Sequence, residues 1–243
     1  MPPISVHIAA GGHGTRLREH MTELGYADTF PKHLLPTGGT DEETFLGRVV
    51  RQVSVVPNAL PPVVWVNESN LEHIRLHPDI PSHAQITPGN HANFFVPMIE
   101  DLATNSKRVI GCAGDFYAEV DWGDLLTFHE GTPYPVTFVA GNTIPVEKGL
   151  VYTVEADGKV AGFERSDKTE GHEMINVGVY VFDPDERIVN ALQSVLQGKE
   201  EHIAQALVDH GLLGLYILPT MPFNVNTPET YRALLEHHSS IPR

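Results

Sequence analysis

Ala9-Ala10-Gly11-Gly12-His13-Gly14-Thr15-Arg16-Leu17 follows directly on the apolar run of residues 4–10, in which Ser5 and His7 are the polar positions. The run has the length and composition of a buried strand. Three glycines within residues 11–14 then give the chain access to turn conformations and let its backbone approach a ligand closely, so that successive N–H groups can converge on phosphate oxygens. Arg16 adds a fixed positive charge with a forked set of donors. The stretch is not a Walker A loop, which ends in Gly-Lys-Ser/Thr. Nor is it a G-x-G-x-x-G dinucleotide fingerprint, because Leu17 stands where the last glycine belongs. Alone, a glycine-rich turn after a strand reads equally well as a tight connection with no ligand.

Outward from this turn the pattern alternates. Residues 44–53 carry apolar side chains at helical spacing, residues 63–66 form a short apolar run behind Pro61-Pro62, and residues 70–77 read as a helix. A helix near residues 94–102 precedes a strand at 108–113, and a short helix around 124–129 precedes a strand at 136–140. This alternation predicts an α/β fold: a Rossmann-like, doubly wound, mostly parallel (mixed) sheet with helices on both faces. From Leu150 the texture changes. Residues 151–154 and 160–164 flank the turn Ala156-Asp157-Gly158, a small β-hairpin, and residues 177–182 form one more strand. Asp183-Pro184 and Thr227-Pro228 each read as a cap and first residue of a helix. The expectation is one domain over residues 1–243, with a nucleotide-binding half at 1–140 and an acceptor-binding half with the final helices at 141–243.

Downstream of the glycine turn stands Phe30-Pro31-Lys32-His33-Leu34-Leu35-Pro36. Gly-Gly-x-Gly-Thr-Arg-Leu followed by Pro-Lys-x-Leu-Leu-Pro resembles the signature of the sugar-1-phosphate nucleotidylyltransferases, the nucleotide-sugar pyrophosphorylases. The resemblance implies that Arg16 and Lys32 are catalytic, contacting the triphosphate and sugar phosphate and stabilising transition-state charge. It implies that the loop Ala9, Ala10, Gly11, Gly12, His13, Gly14 and Thr15 binds the nucleotide. The segment between Arg16 and Lys32 is several residues longer than is usual in the family, an insertion that costs little closure entropy. Gln85 with Pro88, Gly89 and Asn90 is similar to the base-reading segment, although the family's Gly-Thr-Ala is absent. Gly114-Asp115, ending a strand, is similar to the family's Gly-Asp, which makes Asp115 a ligand for Mg2+.

In the second half, Gly149, Glu164 and Arg165 resemble the region that binds the sugar phosphate, with Arg165 where the family has the lysine of Glu-Lys-Pro. Asn176 and Gly178 resemble its Asn-x-Gly-x-Tyr strand. Phe223-Asn224-Val225-Asn226-Thr227-Pro228-Glu229 resembles Asp-Ile-Gly/Asn-Thr-Pro-Glu, whose first residue is the second metal ligand, here Asn224. An amide oxygen can coordinate a hard cation with less charge. Capping of the next helix by Asn224 or Asn226 is the competing explanation. The implied partners are a nucleoside triphosphate and a sugar 1-phosphate, and relatives are often oligomers. Many relatives carry an added β-helix or acyltransferase domain, so a chain ending at Arg243 reads as a stand-alone catalytic unit.

Composition narrows the alternatives. Sixteen Lys and Arg against 31 Asp and Glu give a formal charge of -15, which repels a phosphate backbone and argues against a nucleic-acid partner. No apolar run approaches the about eighteen residues that cross a bilayer, the amino terminus lacks a secretion signal, and one cysteine cannot form an internal disulfide. Together these predict a cytoplasmic protein without a membrane partner. Fourteen scattered histidines form no H-E-x-x-H or Cys/His cluster. A GT-A glycosyltransferase would want Asp-x-Asp, which Gly114-Asp115-Phe116 does not supply. Two further readings stand beside the main one: a non-sugar acceptor such as phosphocholine or a cyclitol phosphate, suggested by Glu164-Arg165, and a catalytically silent sugar-nucleotide sensor, suggested by Asn224.

Overall fold

The computed structural model describes residues 2–12, 14–27, 29–38, 43–89, 94–105, 107–142, 149–156, 158–166, 174–196 and 199–240. In chain order the elements are β1 (Ile4–Ala9), α1 (Arg18–Glu23), α2 (Phe45–Ser54), β2 (Val63–Val66), α3 (Leu71–Arg75), β3 (Gln85–Pro88), α4 (Phe95–Asn105), β4 (Arg108–Ala113), β5 (Phe116–Tyr117), α5 (Trp122–Gly131) and β6 (Val136–Asn142). The chain continues with β7 (Gly149–Val154), β8 (Val160–Ser166), β9 (Met174–Phe182), α6 (Glu186–Leu192), α7 (Glu200–Asp209), β10 (Leu213–Ile217), β11 (Phe223–Asn224) and α8 (Pro228–Ser240). Short 3-10 turns at Lys32–Leu34 and Glu68–Asn70 complete it.

The main sheet runs β10-β6-β9-β4-β1-β2-β3. Strands β3, β2, β1 and β4 are mutually parallel, as are β6 and β10, whereas β9 runs antiparallel to both of its neighbours, β4 and β6. The expected mixed, mostly parallel sheet is what is found. Alternation along β1 and β4 sorts the core into two layers. Ile4, Val6, Ile8, Ile110 and Cys112 pack with Leu46, Val50 and Val53 of α2, Ile74 of α3 and Leu125 of α5. Val109, Phe138 and Phe182 pack on the other face with Met98 of α4, Ile188 of α6 and Ile203 of α7. A third cluster of Leu17, Leu35, Phe45, Tyr117, Phe223 and Tyr231 ties α1, α8 and the β5–β11 ribbon over the carboxyl edge of the sheet.

Helix α2 shows how local sequence sets an element. Thr44 caps it by accepting from Gly47 N at 3.0 Å, and Asp79 accepts from the Thr44 amide at 2.7 Å and its hydroxyl at 2.6 Å. A cap of this kind is worth ~1 kcal/mol. Helix α6 starts later than its sequence suggests. Asp185, not Asp183, is the cap, accepting from Arg187 N at 2.8 Å. Asp183 is kept extended because its amide donates to Pro135 O at 2.8 Å and its carboxylate accepts from Arg108 Nε at 2.7 Å. Strand β3, helices α1 and α7 and strand β10 are elements that periodicity did not single out, and β9 begins at Met174, three residues before the apolar run.

Candidate active site

Parallel pairing of β1 with β4 brings two loops to one edge. Ala9 lies opposite Ala113, Gly114 N donates to Ala9 O at 2.7 Å, and Ala10 N donates to Trp65 O at 2.8 Å. A side chain on Gly114 would place Cβ 2.9 Å from Ala9 O, so the close approach requires glycine. Asn67, at the end of β2, donates its side-chain amide to Gly11 O. Gly14 sits at φ 61, and Leu17 closes the turn by donating its amide to Gly14 O at 2.9 Å and burying its side chain. The exposed Arg16 has no hydrogen-bond or ion-pair partner among the described residues. Ala9, Ala10, Gly11, Gly12, Gly14 and Thr15 thus form the turn the sequence suggested, while His13 lies outside the described residues.

Lys32 is threaded beneath this turn. A Cβ on Gly14 would lie 3.1 Å from Lys32 Cβ and one on Gly12 3.4 Å from Lys32 Cε, so the glycines leave room for the lysine stem. The side chain is 9% exposed, and its ammonium contacts Asp115 Oδ2 and donates to Asn226 Oδ1 at 2.9 Å. Burial alone would raise the Asp115 carboxyl, but Lys32 and the buried His33 hold it below the usual carboxylate range. The β5–β11 ribbon sets Asn224 opposite Phe116, beside Asp115 along the chain. The side chain of Asn224 lies outside the described ones. Sequence reasoning gave Asn226 only the role of a helix cap and gave His33 none. The signal for both was adjacency to residues of the family pattern.

The residues fit a hard divalent cation. Among the described residues no group of three or more His, Cys, Asp or Glu could hold a metal by itself. Asp115 at a strand's carboxyl end supplies an oxygen donor where a positive charge, the Lys32 ammonium, already rests. One or two protein oxygens completed by phosphate oxygens and water is the pattern magnesium favours over a protein cage.

The residues that the resemblance assigns to the acceptor are gathered around β9. Gly178 takes φ 80, and a Cβ there would stand 2.7 Å from Ala113 Cβ, which presses β9 against the end of β4, two residues before Asp115. Asn176 is buried: its Oδ1 accepts from Gly178 N at 2.9 Å, while its Nδ2 donates to Glu200 and, at 3.4 Å, to Tyr180 Oη. Tyr180 Oη also donates to Glu200 Oε1 at 2.7 Å. Burial raises the Glu200 carboxyl and holds the Tyr180 hydroxyl protonated. Glu200 carried no signal in the sequence, since it belongs to a helix that periodicity does not reveal. On the hairpin, Leu150 faces Arg165 and Gly149 faces Ser166. Glu164 is exposed, and Arg165 donates to Glu201 at 2.5 Å.

The segment that the resemblance assigns to base reading is divided. Pro88 ends β3, and Gly89 N donates to Val66 O at 2.9 Å, which holds both at the carboxyl edge; Asn90 lies outside the described residues. Gln85 opens β3 level with Val63 and His7, away from the Lys32 cluster. It lines a cavity of about 570 Å³ with His7, Trp65 and Asp101. There Trp65 Nε1 donates to His7 Nδ1 at 3.0 Å, leaving His7 Nε2 to face Asp101 at 3.2 Å. Burial lowers the His7 pKa, with Asp101 opposing.

Comparison with known proteins agrees with this geometry. No family profile matches the chain. A protein of Sulfolobus acidocaldarius, provisionally described as a mannose-1-phosphate guanyltransferase, is 24% identical over 232 residues, which cover 94% of this chain. The chain spans 61% of that relative's length. A Bacillus anthracis protein, provisionally a glucose-1-phosphate thymidylyltransferase, superposes with a TM-score of 0.73 at 14% identity, covering 99% of this chain and 97% of its own. The fold is that of the nucleotidyltransferases. A CTP:phosphocholine cytidylyltransferase from Streptococcus pneumoniae shares this nucleotidyltransferase fold, with a TM-score of 0.69 at 16% identity over 97% of this chain and 99% of its own. No helix among the described residues is long and apolar enough to cross a membrane.

Proposed function

We propose that the chain is a sugar-1-phosphate nucleotidylyltransferase. It transfers a nucleoside monophosphate from a nucleoside triphosphate to a sugar 1-phosphate, giving a nucleotide sugar and pyrophosphate. The observation that carries the reading is the Lys32 ammonium, held under the glycine turn and against Asp115 at the carboxyl edge of the sheet. Residues 1–243 act as one unit, with 1–140 holding the nucleotide and 141–243 the acceptor. The likeness to a guanyltransferase and the family pattern in the sequence support it, as do the lack of a membrane-crossing helix among the described residues and a lone buried Cys112 for a cytoplasmic setting.

The acceptor needs no general base, because a phosphate monoester with a second pKa of about 6 is largely dianionic at neutral pH. Its oxygen attacks the α-phosphorus in line, and the bond to the bridging oxygen of pyrophosphate breaks. The obstacle is the approach of two anions and the charge that builds on the equatorial and leaving oxygens. Backbone amides of Gly11, Gly12 and Gly14 would receive the phosphates, and Arg16, with no partner among the described residues, is available to them. Lys32 aims its ammonium from below. Asp115 and the amide oxygen of Asn224 would hold magnesium, which supplies charge neutralisation on the triphosphate. Asn176, fixed by Gly178 and Glu200, shapes the acceptor side.

The test is pyrophosphate release by purified protein with magnesium, across five nucleoside triphosphates and a panel of sugar 1-phosphates, led by GTP with mannose 1-phosphate and dTTP with glucose 1-phosphate. Release confined to one pair and lost in Lys32→Ala is expected. Near-normal turnover by Lys32→Ala would sink the reading. Phosphocholine and a cyclitol phosphate belong in the panel, because Arg165 is engaged by Glu201 and not offered freely to a sugar phosphate.

A further inference from the structure

Two of the groups proposed above satisfy each other: the Lys32 ammonium rests on the carboxylate to which a divalent cation is assigned. Both cannot hold the same oxygen, because an ammonium and a divalent ion at contact distance repel strongly in a site with little water. We infer that Lys32 is the resident counter-ion of Asp115, displaced when a divalent cation arrives, and that Asn226 is a positioning residue that keeps the released ammonium at the site. The inference rests on the nucleotidyltransferase reading for the role of Asp115.

Three features support the exchange. The lysine stem is enclosed by Gly12 and Gly14, so leaving Asp115 requires movement of the ammonium end alone. The ammonium has three donors, and one already reaches Asn226 Oδ1 at 2.9 Å, so a second station exists besides the carboxylate. Asn226 is itself fixed, its amide donating to Thr230 Oγ1 at 3.2 Å at the start of α8, and α8 is anchored by Tyr231 Oη donating to Pro36 O at 3.0 Å. A neutral amide suits this role, because it accepts the ammonium without competing as a full charge for the cation. The exchange would give the protein a low affinity for free divalent ions and reserve cation binding for the metal–nucleotide complex, whose phosphates receive the released ammonium.

The experiment is a titration of the full-length protein with Mn2+ in the absence of nucleotide, with free Mn2+ followed by electron paramagnetic resonance. Lys32→Met, which keeps the stem and removes the charge, is expected to bind Mn2+ about tenfold more tightly than the unmodified protein. Lys32→Gln is a second neutral variant with the same expectation should Met disturb folding. Asn226→Ala leaves the ammonium with Asp115 alone and should weaken Mn2+ binding about threefold. Equal or weaker Mn2+ binding by both neutral Lys32 variants overturns the inference, and if Asp115→Asn meanwhile abolishes binding, the metal assignment survives that failure. Unchanged binding by Asp115→Asn overturns both the exchange and the assignment of Asp115, whereas pyrophosphate release tests the reaction separately.

Discussion

The proposed nucleotide side and the proposed acceptor side of the site handle charge in opposite ways. On the nucleotide side Lys32 and Asp115 are largely withdrawn from water and face each other across the end of the parallel strands. On the proposed acceptor side Arg165 stands half exposed on a hairpin, in an ion pair with Glu201, while the part-buried Glu200 takes hydrogen bonds from neutral donors. A buried ion pair is strongly directional and costly to break by removing one partner, whereas a half-exposed one contributes about 0.2–1 kcal/mol. The first arrangement suits groups that must meet a reacting phosphate in one geometry, and the second suits a surface that tolerates change in its acceptor.

The widest expected gap between the two sides is kinetic. Lys32→Ala should lower kcat about 10²–10³-fold, the usual cost of removing one preorganised electrostatic contact, as read by pyrophosphate release. A loss smaller than about tenfold would erase the contrast. Next comes the seam between the sides. Gly178→Ala must put a Cβ on a left-handed residue 2.7 Å from Ala113 Cβ and should cost ~1–3 kcal/mol in denaturant unfolding. Gly162→Ala, on the hairpin with nothing within 4 Å of the added carbon, should change stability little.

Two part-buried carboxylates sharpen the comparison through pH. Burial raises the Glu200 carboxyl, so the fold favours its protonated form. That stability is present at low pH and is lost as pH rises above the unfolded carboxylate value of about 4.3 toward the folded one. Glu200→Gln should therefore gain on the unmodified protein as pH rises above the unfolded carboxylate value of about 4.3, read by denaturant unfolding at a series of pH values. Asp183, at the opposite end of β9, behaves in reverse. Burial would raise it, but His129 at 3.3 Å and Arg108 hold it down at about 2. Its contribution is present above about 4 and fades as pH falls toward 2, so Asp183→Asn should be destabilising at neutral pH and nearly silent at pH 2. The smallest effect belongs to Arg165→Ala, which should raise the acceptor KM about threefold and leave the nucleotide KM unchanged, in keeping with an exposed pair.

The glycine turn and the lysine beneath it were legible in the sequence because their residues are contiguous: residues 9–17 and Pro31-Lys32 each read within one short window. The parallel strands were legible for the same reason, as apolar runs between turn signals. What escaped notice is what distance creates. Lys32 and Asn226 meet across 194 positions, and no local pattern announces the pair. Glu200 is one of several acidic residues on a helix whose start carries no side-chain cap of the usual Ser, Thr, Asp or Asn type. The resemblance implied that Gln85 reads the base, but β3 carries it to the level of His7, since register is fixed by pairing with β2 and not by the motif. The start of α6 moved because Asp183 had a tertiary partner that outweighed its capping preference.

Strand β9 lies between β4 and β6 and is hydrogen-bonded to both, which makes the sheet one continuous plate from β3 to β10. The halves therefore have no crease along which to fold toward each other, and opening one would tear a ladder in the middle of the core. The β7–β8 hairpin is different: β7 meets β9 through the register pair Val151 and Ile175. Its inward side chains Leu150, Tyr152 and Val160 join the core, so the hairpin is fastened to the plate by packing more than by backbone pairing to β9.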